Sequence, residues 1–124
     1  MSEIAAKALV VVVEDDVFER MGASSMFLDA GYRVLEAENA DEALQFFETN
    51  ADIRLLFTDV SMPGSISGSD LAYHVAERWP RVSIIVASGR PRPHKLPLSM
   101  LFHAKPYEPV AVLRQAREMT AQLG

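Results

Sequence analysis

Residues 55–64 read LLFTDVSMPG. An apolar run of strand character carries Asp59 near its end and then meets Pro63-Gly64, a turn signal. A strand this apolar belongs inside a sheet, and a charge at its tip is costly unless a partner compensates it. The rest of the chain indicates which groups reach the same tip.

Upstream, residues 8–13 read ALVVVV, continuous rather than alternating. That is the pattern of a strand buried on both faces, as in a parallel sheet. Residues 18–30 follow with helical spacing at Phe18, Met21, Ser25 and Leu28, and Gly31 is a C-terminal cap. A second strand is expected over 32–36. A helix capped by Asn39 or Asp41 runs to Glu48, with Ala40, Leu44 and Phe47 on one face. Residues 53–58 form the third strand.

Downstream, Ser69-Asp70 opens a helix to about Arg78, stopped ahead of Pro80. Strands are expected over 82–87 and 101–104. Pro109 starts the last helix, whose stripe is Val110, Leu113, Ala116 and Leu123. Strands alternate with helices throughout, so the fold class is α/β with a parallel sheet. Between Gly89 and Phe102 the alternation requires a helix, yet Pro91, Pro93 and Pro97 fall there. A loop, with at most one short turn near 98–101, is expected instead.

The chain has 124 residues, enough for one domain and one core. Its net charge of −5 argues against direct nucleic-acid binding. With no cysteine, disulfides and thiolate metal sites are excluded. The start, MSEIAAK, has no apolar stretch of signal-peptide kind, and the apolar runs are too short for membrane insertion. A soluble, cytoplasmic protein is expected.

In an open α/β sheet, ligands bind at the carboxyl ends of the strands. Here those ends carry Glu14-Asp15-Asp16, Asp59, Ser88-Gly89 and Lys105-Pro106. Crowded carboxylates repel unless a cation intervenes. Mg²⁺ takes oxygen ligands and needs only one or two carboxylates. With Lys105 opposite it, such a rim suits a phosphoryl group, and an aspartate there can itself be the nucleophile.

The segments VVVEDD, LLFTDVSMPG, IIVASG and FHAKPY resemble, in order, the four signature segments of response-regulator receiver domains. The resemblance covers essentially the whole chain. It implies a flavodoxin-like, doubly wound five-stranded sheet of order 2-1-3-4-5 with helices on both faces, from which this sequence departs in that the proline-rich loop is expected to replace the fourth helix. It implies that residues 1–124 are a single receiver domain with no output domain. Asp59 would be the phosphoacceptor, charged by a histidine kinase or a phosphotransfer protein. Mg²⁺ would be held by Glu14, Asp15, Asp59 and the backbone carbonyl of Ser61. Aligning Glu14-Asp15 as the acidic pair puts Arg20 where the family often has arginine. Ser88 would follow the phosphoryl group and Lys105 would bind its oxygens, its bond to Pro106 being cis. Phe102 takes the place of an aromatic that swings inward on activation. By the same resemblance, Ser61 and Arg90 would flank the attacking water and tune phosphoryl lifetime. Apart from self-catalysed transfer and hydrolysis, the resemblance implies that the chain would not be an enzyme. It would switch a surface read by a downstream protein, as a monomer or a phosphorylation-linked dimer.

The plainer readings are an N-cap for Asp16, core packing for Phe102, packing at a helix end for Trp79, and structural or surface roles for His74, His94 and His103. A pseudo-receiver that never turns over phosphate is the alternative from another class. A Mg²⁺-dependent aspartyl phosphatase ranks lower, because it needs a second aspartate where Ser61 stands. A flavin binder ranks lowest, because the first loop is acidic.

Overall fold

The computed structural model describes residues 8–60, 67–89 and 100–121. Five strands form one sheet of order β2-β1-β3-β4-β5: β1 (Leu9–Val13), β2 (Arg33–Ala37), β3 (Ile53–Asp59), β4 (Ser83–Ser88) and β5 (Leu101–Ala104). Every pairing is parallel. All of β1 is buried, as its unbroken valine run requires of a strand paired on both edges and covered on both faces.

Four helices are described: α1 (Val17–Asp29), α2 (Ala40–Thr49), α3 (Gly68–Arg78) and α4 (Pro109–Ala121). The period-two alternation of the strands divides the core. Val11, Val13, Leu56 and Val86 face α2 and α3, meeting Ala43, Phe47, Leu71 and Val75. Val10, Val12, Leu55, Phe57 and Ile85 face α1 and α4, meeting Ala23, Phe27, Val112 and Ala116. The expected fourth helix or its replacement loop, with Arg90, Pro91, Pro93, His94 and Pro97, lies outside the described residues.

The helix ends follow local chemistry. Asp16 caps α1 by accepting from the Glu19 amide at 2.9 Å, as expected. Asn39, rather than Asp41, caps α2, accepting from the Glu42 amide at 2.8 Å. Ser67 caps α3, two residues ahead of the expected start. Gly31, at φ 98°, ends α1. Its amide donates to the Leu28 carbonyl and that of Tyr32 to the Phe27 carbonyl, both at 3.0 Å, a Schellman closure.

Two stripes read from spacing are corrected. Phe18, Met21 and Leu28 of α1 face solvent, and the helix buries Ala23, Ser24 and Phe27 instead. In α4 Val110 is exposed, and the buried positions are Val112, Ala116 and Thr120. Leu123 lies outside the described residues. Trp79 packs at a helix end as expected, its ring 5.3 Å from that of Phe47 and its face 4.6 Å from the Arg78 guanidinium. Among the described residues, no helix is long and apolar enough to cross a membrane.

Candidate functional site

Parallel pairing sets all carboxyl ends on one rim, and register fixes what meets there. Val13 lies opposite Thr58, Asp59 opposite Ala87, and Ser88 opposite Ala104. Glu14 follows Val13 and Lys105 follows Ala104, so residues far apart in the chain emerge side by side.

Glu14 is 6% exposed. Its amide donates to the Ala37 carbonyl at 3.0 Å, and its carbonyl accepts from the Arg20 guanidinium at 2.8 Å. Arg20 also reaches Glu36 at 3.3 Å and Glu38 at 3.8 Å, bracing the turn between β1 and α1 against the loop after β2. The Glu14 carboxylate accepts from the Asp16 amide at 3.1 Å and from the Lys105 ammonium at 2.7 Å. Burial raises its pKa, and the bonds from Lys105 and the Asp16 amide pull the other way without cancelling it.

Carboxylate oxygens of Glu14, Asp15 and Asp59 lie within 4.8 Å of one another. Asp15 is exposed, and the Asp59 side chain is 13% exposed. The Lys105 ammonium stands 3.2 Å from Asp59 and 2.7 Å from Glu19. Burial alone would lower the Lys105 pKa, but bonds to Glu14 and Glu19 and the charges of Glu14 and Asp59 raise it above the ordinary lysine value. The rim thus sets four carboxylates against this ammonium. Clustered hard oxygens in which carboxylates outnumber the ammonium fit a hard divalent cation such as Mg²⁺.

Ser88 is buried at 1%, and its carbonyl accepts from the Lys105 amide at 2.8 Å. The Lys105-Pro106 bond is cis. Phe102 is half-buried and packs on the core shared with α3. Ser61 and Arg90 lie outside the described residues. His74 lies near Trp79, and His103 hydrogen-bonds Gln115, so neither takes part in the acidic cluster. A cleft of about 600 Å³ opens beside the site, lined in part by Glu19, Ala23, Met26, Phe57, Lys105 and Tyr107.

Glu19 is the residue that reading the sequence missed. No spacing signal marks it: Asp15 precedes the N-cap Asp16, so helical spacing does not relate it to Glu19, whose partner Lys105 comes from the far end of the chain.

The family model for the response regulator receiver domain matches residues 10–97. The hydrogenase transcriptional regulatory protein HoxA of Cupriavidus necator is 35% identical over 83 residues, which make up 67% of this chain and 17% of HoxA. The chain therefore spans a small part of that relative. The receiver domain of the hybrid histidine kinase CckA superposes with a TM-score of 0.77 at 27% identity, covering 91% of this chain and 99% of that one. The response regulator TrrA of Thermotoga maritima, solved with Mg²⁺-BeF, has the same fold, with a TM-score of 0.82 at 23% identity, covering 90% of this chain and 98% of that one. The chain belongs to the response regulator receiver domain family, the signalling domains of two-component systems.

Proposed function

We propose that Asp59 accepts a phosphoryl group from a histidine kinase or phosphotransfer protein and that the modified rim switches a protein-binding surface. One observation carries this reading: oxygens of Glu14, Asp15 and Asp59 converge within 4.8 Å while Lys105 stands 3.2 Å from Asp59. An Asp59 oxygen bonds to phosphorus as the P–N bond of the donor phosphohistidine breaks, and the imidazole nitrogen leaves with the electron pair and takes up a proton. Glu14, Asp15, Asp59 and the Ser61 carbonyl would hold Mg²⁺, which when bound neutralises charge on the phosphoryl oxygens. Lys105 supplies a second positive charge, and Ser88 a hydroxyl for the phosphoryl group.

Hydrolysis by water resets the switch, with Ser61 and Arg90 tuning its rate. The response runs through Ser88 and Phe102 toward β5 and α4, where a downstream protein reads it. The mimic-bound state of TrrA supports the choice of beryllofluoride as a stand-in for the phosphoryl group. Incubation with acetyl phosphate and Mg²⁺ tests the reading by intact mass. One added phosphoryl per chain is expected, lost in Asp59→Asn and on chelation of the metal. An unmodified wild-type chain would sink the reading in favour of a constitutive interaction module.

A further inference from the structure

Lys105 has three N–H donors, and the site already presents three carboxylates to them. Glu14 accepts at 2.7 Å and Asp59 at 3.2 Å, and Glu19 is ion-paired with the ammonium at 2.7 Å. A phosphoryl oxygen arriving on Asp59 needs one of these donors, so an existing partner must yield. The three are not equivalent. The side chain of Glu14 is 9% exposed and that of Asp59 13%, whereas that of Glu19 is 52% exposed. Withdrawing the ammonium from Glu14 would strand a buried charge. Glu19 can turn its carboxylate into water from the first turn of α1, at the small cost of an exposed ion pair.

We propose that Glu19 is a positioning residue, a displaceable anion that holds Lys105 in the resting site and competes with the phosphoryl group for it. The inference rests on Asp59 being the phosphoacceptor. Glu19 thereby sets how much of the binding energy between Lys105 and the phosphoryl oxygens is available, biasing the switch toward its resting state. Its side chain also lines the cleft beside the site.

Beryllofluoride titration of the full chain at saturating Mg²⁺, followed by amide NMR, tests this with two variants. Glu19→Gln removes the charge and keeps the length. Glu19→Asp keeps the charge and draws it one methylene back from Lys105. The Asp16 cap uses the Glu19 backbone amide, so both variants retain it. Both are expected to bind beryllofluoride about two- to five-fold more tightly than wild type, the factor an exposed ion pair supplies. Tightening in Glu19→Gln alone would mean that only the field of the charge matters, and would overturn the contact proposed here. Unchanged affinity in both variants, with wild type binding normally, would overturn it and leave the phosphoacceptor reading intact. Failure of wild type to bind would overturn both.

Discussion

Lys105 and Glu14 set the energetics of the site. Each is largely withdrawn from water, and each offsets the other's desolvation across 2.7 Å. Lys105→Met is therefore expected to leave Glu14 charged and unpaired beside Asp15 and Asp59, costing about 1–3 kcal/mol at pH 7. The cost should depend on pH. Burial already holds the folded pKa of Glu14 above its unfolded value, and loss of the lysine raises it further. The native state of the variant then binds more protons than the unfolded state as pH falls toward the carboxylate range, so acid relieves the destabilisation. Urea unfolding of wild type and variant at pH 7 and about pH 5 checks this, with a smaller difference expected at the lower pH. An equal difference at both would show that Glu14 is not the stranded group.

At the scale of elements, the junction of β3 with α3 positions Asp59. The Gly68 amide donates to the Val60 carbonyl at 2.8 Å, drawing the start of α3 onto the end of the strand. A Cβ on Gly68 would lie 1.6 Å from the Asp59 carbonyl oxygen and 2.9 Å from the Val60 Cα. Backbone, not a flexible side-chain tip, occupies that space. Gly68→Ala is expected to push the helix off the strand and destabilise the fold by about 3 kcal/mol, the upper range for overpacking. Because the shift acts on the backbone of Asp59, modification by acetyl phosphate should fall in fully folded samples as well. Denaturant melts and intact mass measured on the same preparation check both expectations. Gly31 is a glycine for another reason: its φ of 98° lies in the left-handed region, which a side chain disfavours.

For the whole molecule, the sheet decides which face of each helix is inside. Phe27 is fully buried, its ring 5.5 Å from that of Tyr32 and 5.4 Å from that of Phe57, whereas Phe18 on the same helix is 81% exposed. Phe27→Ala is expected to cost about 3–5 kcal/mol, and Phe18→Ser to stay within about 0.5 kcal/mol of wild type. Chemical denaturation of the two variants distinguishes these stripes, and comparable losses would contradict the packing. The sequence could not make that choice, because α1 has apolar residues on both stripes and spacing identifies a face without saying where it points. The same ambiguity misplaced Val110. Strand identities and the rim were legible, because β-branched runs buried on both faces have few other homes and a parallel sheet sends all its carboxyl ends one way, while the strand order came from the resemblance of the four segments to receiver domains. The presence of Glu14, Asp15, Asp59, Ser88 and Lys105 at strand ends was thus determined by the sequence alone. Only the tertiary structure decided that Glu19 shares Lys105 with Glu14 and Asp59 and that Gly68 sits against Asp59. Those are contacts between elements, set by the angle and depth at which helices dock on the sheet, and one-dimensional spacing holds no record of either.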